Sequence, residues 1–334
     1  MPTRIATNLP FKDFTVTTIT RFDSPLQDIQ TRLASADREV RRIAVLDLAD
    51  LDGDEHAYLF VEALQDADAT VRVAAAKALE DFESDEGVAA LINALTDSDD
   101  AVRQAAAHSL SELKFPESAA LLLPHAQHQD AFVRATILRA LRELRVAASF
   151  EPALAALADR DASVRREAVS VLGYLKSPEA LTLLTVLATQ DLEPEVRRVA
   201  IGAIGYAVND AVLPALLAGL RDTAWQVREE AATTVSKLGL QQGTDALIDA
   251  LHDHYWQVRL RAARSLGRLR SAAALPALVE TLTHEISNLR KEAALALGEI
   301  RLAAALPALE NIQNDPDPDV RKAARLAIDQ IRAA

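Results

Sequence analysis

The stretch "TAWQVREEAATTVSKLG" (223–239) returns 31 residues later as "HYWQVRLRAARSLGRL" (254–269). Both copies carry Trp-Gln-Val-Arg followed by paired alanines, and they contain the chain's only two tryptophans. A phrase that returns at a fixed period is the signature of a repeat architecture. The Val-Arg pair therefore sets a register that can be followed along the whole chain.

The Val-Arg register covers nearly the whole sequence. The spacing is 31 residues, apart from one step of 32 between Val164 and Val196, and Leu289-Arg290 is the single variant pair. Ten copies span about residues 26–334, which we interpret as one repeat domain. Residues 1–25 form an arm outside the period. We expect this arm to cap the first repeat, because end units of repeat proteins expose an apolar face; a recognition peptide or pairing with another chain is the alternative. The apolar members of the ten pairs are Val40, Val71, Val102, Val133, Val164, Val196, Val227, Val258, Leu289 and Val320.

Each unit has the pattern of two helices. The segment 101–113 carries one apolar stripe at the spacing of an α-helix, and the leucine-rich segment 87–95 before it carries another. Neither helix can bury its stripe alone, so hairpins must stack to form a continuous core. The sequence therefore predicts an all-α fold: a right-handed α-solenoid of about ten helical hairpins, each with a helix A followed by a helix B.

Composition limits the function classes. The net charge of −13 opposes binding to nucleic acid and to anionic membranes. The chain has no cysteine, no Gly-rich phosphate loop, no GxSxG and no spaced set of metal ligands. We find neither a secretory signal nor a membrane-spanning stretch. We therefore expect a cytoplasmic protein, a monomer or weak oligomer, without catalytic residues, a resident metal or a cofactor.

A ladder of ion pairs is the second prediction. An arginine follows the apolar residue in all ten units, and acidic residues recur five positions before it. A guanidinium near the start of helix B can fork to a carboxylate of a neighbouring link. Because a ligand rarely needs the same contact in every unit, the regularity favours a structural role over anion binding. The predicted ladder comprises Arg72, Arg103, Arg134, Arg165, Arg197, Arg228, Arg259 and Arg290 with Asp66, Asp97, Asp159, Asp222 and Asp253.

The repeated phrase also resembles a known family. Read from Asp222 and Asp253, "DxxWxVRxxAAxxLGxL" is similar to the HEAT-like repeats first associated with phycobilisome bilin lyases. The resemblance extends over all ten units and implies an α-solenoid scaffold, while one fold serves many functions. Deoxyhypusine hydroxylase resembles this architecture, but it holds two irons with several His-Glu pairs. This chain has only His284-Glu285 and a reversed Glu55-His56.

A candidate binding face follows from helix B. Counted from the apolar anchor, positions 2, 3, 6 and 10 are expected to point away from the core and to line the concave surface. Repeats 5 to 8 place tyrosine, tryptophan and arginine there or at the adjacent link, and these residue types are enriched at binding hot spots. The alternative is a solvated face, with the tryptophans as ordinary packing residues of the repeat. The candidates are Arg166, Tyr174, Arg198, Tyr206, Trp225, Tyr255, Trp256, Arg261, Arg264 and Arg268.

These patterns favour a binding protein over an enzyme. We predict a non-catalytic scaffold or adaptor, such as an assembly factor for a cofactor-bearing protein, that binds a protein with an acidic segment. The competing hypothesis, implied by the resemblance, is a phycobilin lyase/isomerase subunit. A tetrapyrrole retained on purification would favour the lyase, and a stoichiometric protein partner would favour the scaffold.

Overall fold

The computed structural model describes residues 25–51, 53 and 55–334. Throughout these residues helices follow one another in pairs, and no strand is present among them. The predicted arm, residues 1–25, lies outside the described residues apart from Pro25.

Each pair consists of a helix A and a helix B. The A helices are α1 (Pro25–Leu33), α3 (Tyr58–Ala63), α5 (Asp85–Ala94), α7 (Ala119–Leu122), α9 (Phe150–Ala156), α11 (Leu181–Gln190), α13 (Leu213–Gly219), α15 (Thr244–Ala250), α17 (Leu275–Thr281) and α19 (Leu306–Asn311). The B helices are α2 (Arg38–Ala49), α4 (Ala69–Ala78), α6 (Asp100–Ser111), α8 (Ala131–Leu144), α10 (Ala162–Leu175), α12 (Pro194–Ala203), α14 (Trp225–Lys237), α16 (Trp256–Arg268), α18 (Ser287–Ile300) and α20 (Pro318–Arg332). This arrangement confirms the predicted all-α solenoid.

The apolar residue of each Val-Arg pair anchors helix B in the core. Val102, Val164 and Leu289 are completely buried, and only Val40, in the first pair, stays partly exposed. Burial of one such side chain contributes roughly 1.5–3 kcal/mol. Each B helix packs against the B helices before and after it, as α10 packs against α8 and α12. The repeated anchor therefore aligns the B helices along one face of the solenoid, which we call the helix B face.

Two glycines bring the last B helices close together. A Cβ at Gly267 would lie 2.7 Å from the Cα of Ala296, and a Cβ at Gly298 would lie 2.8 Å from the Cα of Ala327. Real Cβ atoms do not approach backbone so closely, so α16, α18 and α20 can pack at this distance only with glycine at these positions.

Aspartates three residues before the anchor cap several B helices. Asp99 accepts hydrogen bonds from the backbone N–H groups of Ala101 and Val102, which satisfies donors that a helix start leaves free. The helices that begin with the two tryptophans are different. Ala224 and Tyr255 hold the cap position of α14 and α16, and neither supplies a capping side chain.

Candidate binding sites on the solenoid

Seven of the ten Val-Arg arginines fork to an aspartate of the next repeat, all within the described part of the chain. Arg72 donates from Nε and Nη2 to the two carboxylate oxygens of Asp97, each at 2.8 Å. Its Nη1 donates to the carbonyl of Asp66 at 2.8 Å, and Asp97 also accepts from the backbone N–H of Asp99. We call such a pair a rung, because it ties one link to the next. The seven rungs are Arg41–Asp66, Arg72–Asp97, Arg134–Asp159, Arg165–Asp191, Arg197–Asp222, Arg228–Asp253 and Arg290–Asp315.

The rungs keep their carboxylates ionised. The hydrogen bond from Arg72 lowers the pKa of Asp97 below its usual value, against the opposing effect of burial. Asp66 and Asp315 show the same direction for the same reason. The rung aspartates are therefore charged at neutral pH and bound to a permanent cation.

The predicted ladder is wrong at Arg103 and Arg259. A rung joins residues 25 or 26 positions apart, and 25 positions beyond these two arginines the chain has His128 and His284 in place of aspartate. An imidazole cannot accept two parallel hydrogen bonds as a carboxylate does. The buried Nε of each arginine accordingly has no hydrogen-bond partner among the described residues.

The two vacant rungs differ in what surrounds the arginine. Arg103 pairs with the exposed Asp100 of its own helix at 2.8 Å and lies 5.2 Å from the ring centroid of Phe132. The guanidinium of Arg259 has no ion pair and no hydrogen bond within residues 25–51, 53 and 55–334.

His128→Asp is expected to stabilise the protein, because Arg103 would gain the carboxylate that seven other rungs possess. Hydrogen bonds to charged groups contribute roughly 1.5–3 kcal/mol, and the lost surface pair with Asp100 offsets a part of this. We expect the free energy of unfolding to rise by about 1–2 kcal/mol, measured by urea unfolding and far-UV circular dichroism. In an Arg103→Ala background the gain should vanish; an undiminished gain there would contradict the rung explanation.

A hollow of ≈ 690 Å³ opens on the helix B face between α8, α10, α12 and α14. Gly173 and Gly202 are among the residues that line it. A Cβ at Gly173 would lie 3.0 Å from the Cβ of Ala203, so α10 and α12 approach closely here. A Cβ at Gly202 would lie 2.9 Å from Oε1 of Glu230, so glycine leaves the room that this carboxylate occupies. The lining residues are Arg145, Ser170, Gly173, Tyr174, Lys176, Arg198, Val199, Gly202, Ala203 and Glu230.

Basic side chains dominate the charge of the hollow. Arg145 and Lys176 follow the last residues of α8 and α10, where both adopt the left-handed conformation, with φ of 54° and 53°. Arg198 projects from α12 and forms an ion pair with Glu195 of the same helix. Cations near the carboxyl end of a helix are favoured by the helix dipole. The hollow therefore collects three cations in a chain whose net charge is −13.

Glu230 is the acidic residue of the hollow. Burial raises the pKa of its carboxyl, whereas the nearby charge of Arg198 lowers it. The net effect is an upward shift, so this carboxyl gains a proton more readily than an exposed glutamate. Glu230 and Glu195 offset part of the charge of the three cations, while Arg145 and Lys176 form no ion pair with a described residue.

Tyr174 presents an aromatic surface in the hollow. Its side chain is 47% exposed, and the guanidinium carbons of Arg145 and Arg142 lie 5.1 and 6.0 Å from its ring centroid. Such cation–π contacts stabilise by about 0.5–1 kcal/mol at exposed sites, so they hold the ring in place. The hollow thus combines an exposed aromatic ring with positive charges around it.

The structure brings Tyr174 and Arg198 together but places other predicted residues elsewhere. Tyr206 was expected beside Tyr174; instead it is partly buried, and its hydroxyl donates to the carbonyl of Ser177 at 2.6 Å. Arg166 donates to Glu167 at 2.9 Å. The expectation that position 3 points outward is wrong here, because Glu167 is 3% exposed between neighbouring helices.

Two of the three candidate arginines on α16 form ion pairs inside the fold. Arg261 donates to Glu229 at 2.9 Å, and Arg264 forks to Glu292 at 2.7 and 2.9 Å. Arg268 remains exposed at the end of the helix. Two of the three arginines thus join adjacent repeats.

The predicted aromatic residues of repeats 7 and 8 lie at the solenoid edge formed by the links, which we call the link edge. The rings of Trp225 and Tyr255 are stacked, with centroids 5.5 Å apart and an interplanar angle of 16°. Tyr255 is 46% and Trp256 is 41% exposed. None of the three lines the hollow.

Sequence reasoning missed Arg145 and Lys176, which lie beyond the helical positions that a face projection considers. The sequence nevertheless contains a pattern that could have predicted them. Both lie twelve residues after their anchors, and Arg270 and Arg301 occupy the same register position, again with positive φ. A basic residue recurring there predicts a cation displayed at the end of helix B.

The structure shows no metal site or membrane span in the part of the chain that it describes. No group of three or more metal-binding side chains comes together there. No helix among those residues has the length and apolarity needed to cross a bilayer.

A family model described as HEAT repeats matches the chain over residues 25–111, 58–142, 119–191, 182–256 and 244–329. The chain belongs to the HEAT-repeat family. These matches cover the ten hairpins described above, so family and architecture agree. A comparison with curated proteins found no match for this HEAT-repeat chain.

Solved structures share the HEAT-repeat fold. An engineered protein is 21% identical, with a TM-score of 0.50 over 93% of this chain and 99% of its own. The Escherichia coli protein YibA is 20% identical, with a TM-score of 0.54 over 90% of this chain and 98% of its own. A chain of the Kap95p–RanGDP complex is 15% identical, with a TM-score of 0.62 over 91% of this chain and 49% of its own. At these identities the likeness concerns the fold alone.

Proposed function

We propose that this HEAT-repeat protein is a protein-binding scaffold whose helix B face holds an acidic segment of another protein. The observation that carries the proposal is the presence at the hollow of two basic side chains, Arg145 and Lys176, that form no ion pair with a described residue, beside Arg198, which pairs with Glu195. The net charge of −13 opposes the approach of acidic partners in general. A local basic hollow therefore selects where such a partner docks.

The residues of the hollow are better suited to binding a peptide than to catalysing a reaction. An acidic side chain entering it would meet the cations of Arg145 and Lys176, and an adjacent apolar residue would lie on the exposed ring of Tyr174. Tyrosine and arginine are the residue types that anchor protein interfaces. Repeat solenoids bind partners along extended surfaces of this kind. Kap95p, similar in fold, binds RanGDP, which supports the proposal by analogy of fold.

The finer role proposed is an adaptor or assembly factor for a cofactor-bearing protein. It rests on the resemblance of the repeat phrase to bilin-lyase repeats. The lyase/isomerase alternative predicts that a tetrapyrrole stays with the purified chain and absorbs visible light. A colourless protein that forms a stoichiometric complex with an acidic protein would favour the scaffold.

Charge reversal tests the hollow directly. Arg145→Glu with Lys176→Glu is expected to weaken binding of a fluorescein-labelled deca-glutamate peptide by at least tenfold, since each lost charge contact of about 1.4 kcal/mol changes affinity tenfold. Fluorescence anisotropy measures the loss. Both residues are exposed and form no ion pair in the described structure, so the fold should persist.

A matched control separates the hollow from general charge effects. Arg270→Glu with Arg301→Glu changes the same net charge at the same register position, with φ of 50° and 60°, outside the hollow. We expect this control to change the affinity less than threefold at ionic strengths that screen distant charges. Equal losses in both variants, or no loss in the hollow variant, would refute the proposed site.

A further inference from the structure

The rung between repeats 8 and 9 is vacant because the chain has His284 where other repeats have aspartate. It lies at the link edge, apart from the hollow. The guanidinium of Arg259 makes no hydrogen bond or ion pair to any described residue, and its Nε is buried without a partner. Arg259 is only partly buried, so the cost of the missing acceptor falls on Nε, and a carboxylate placed there would remove it.

His284 adds a second donor at this rung. Its Nδ1 accepts a hydrogen bond from the backbone N–H of Ile286 at 3.0 Å. That hydrogen bond assigns the proton of the neutral ring to Nε2. The imidazole thus keeps the link turn that aspartate makes elsewhere, but its other nitrogen is a donor, whereas aspartate has only acceptors.

The filled rungs show what the vacant one would bind. In all seven, the arginine holds a carboxylate through Nε and Nη2 at distances of 2.6–2.9 Å. The fork of Arg259 stands at the same register position without that carboxylate. Guanidinium forks match carboxylates in two parallel hydrogen bonds.

Exposed aromatic surface flanks the vacant rung. Trp256 lies three residues before Arg259 on α16, so the two side chains are neighbours on the helix surface. Trp256 is 41% exposed, and the stacked pair of Trp225 and Tyr255 adjoins it along the link edge. Tryptophan, tyrosine and arginine are the residue types enriched in binding hot spots, and all three occur together here.

We infer that Arg259 and His284 bind a carboxylate side chain of a partner protein, and that an apolar residue next to that carboxylate packs on Trp256. The partner's carboxylate completes the rung that the chain leaves vacant. This site is independent of the hollow and gives the tryptophan phrase a role that ordinary repeat packing does not require.

The test uses Trp256 as its own reporter. In a Trp225→Phe chain, Trp256 is the only indole. Its emission is expected to change saturably with sodium acetate but not with sodium chloride at equal ionic strength. In a chain that also carries His284→Asp, the new aspartate should pair with Arg259, and the response to acetate should disappear. His128→Asp is the control, because the new aspartate should pair with Arg103 and leave the response to acetate intact.

Each result decides the inference. His284→Asp is compatible with the fold, because seven rungs carry aspartate at that position, and it should raise the urea midpoint. A response that survives His284→Asp, or no response to acetate, would overturn the carboxylate site. A response to inorganic phosphate without one to acetate would overturn the choice of a carboxylate.

Discussion

Arg134→Ala is expected to lower the free energy of unfolding by about 3 kcal/mol, the low end of the range for breaking a buried ion pair. The arginine is only 9% exposed and forks to Asp159 at 2.7 and 2.9 Å. Its Nη1 also donates to the carbonyls of His128 and Gln129, at 2.7 and 3.0 Å. Removing it leaves a shielded carboxylate and two carbonyls without their donor.

This rung matters because of where it lies. The buried core divides into two clusters at α8: Val133 and Ile137 belong to the N-terminal cluster, whereas Ala135 and Leu138 belong to the C-terminal one. The Arg134–Asp159 rung joins the repeats on either side of that division. Its loss should therefore weaken the junction between two halves that are each well packed.

Urea unfolding followed by far-UV circular dichroism measures the effect, and hydrogen exchange locates it. Arg160→Ala is the matched control, since Arg160 is exposed in the same link and its side chain has no partner in the described structure. Exposed substitutions of this kind usually change stability by less than about 0.5 kcal/mol. If Arg134→Ala costs no more than this control, the rungs do not stabilise the solenoid.

Acidification below about pH 4 is expected to unfold the solenoid cooperatively. The rung aspartates have pKa values lowered in the folded state, as Asp97 does through its hydrogen bond from Arg72. A lowered folded pKa gives stability that is fully present above the unfolded value of about 3.9 and is lost as pH falls through the folded value. Because the same shift recurs along the chain, the losses add up.

Two glutamates act in the opposite direction. Burial raises the pKa of Glu230 and of Glu299, so protonation of these two carboxyls favours the folded state. These two groups stand against seven rung aspartates whose pKa values are lowered. Circular dichroism against pH, with calorimetric measurement of proton uptake on unfolding, checks the sign. Stability that began to fall already between pH 7 and pH 5 would contradict this account.

The variant His128→Asp tests whether the acid sensitivity comes from the ion pairs. His128→Asp adds an aspartate whose pKa the rung with Arg103 would lower, so its gain in stability should be present at pH 7 and disappear below about pH 4. A gain that persisted at pH 3 would show that aspartate stabilises through packing rather than through the ion pair.

The sequence predicted that arginines and aspartates of the repeats form ion pairs. It did not predict which arginines would lack an aspartate partner. The recurrence of Asp and Arg predicted ion pairs, but the offset of 25 residues that joins Arg72 to Asp97 comes from the structure. Once that offset is known, His128 and His284 mark the vacant rungs directly. The sequence alone did not show which link lies opposite which arginine.

The sequence by itself determined the repeat, the helices and the core, because apolar periodicity and a constant spacing are local properties of the chain. The tertiary structure alone decided that Glu167 is buried, that Tyr206 packs inward, and that Arg145 and Lys176 meet Tyr174 in one hollow. Those outcomes depend on how neighbouring B helices approach each other and on how each helix ends. Such distances join residues about 30 positions apart, and no pattern within a single helix encodes them.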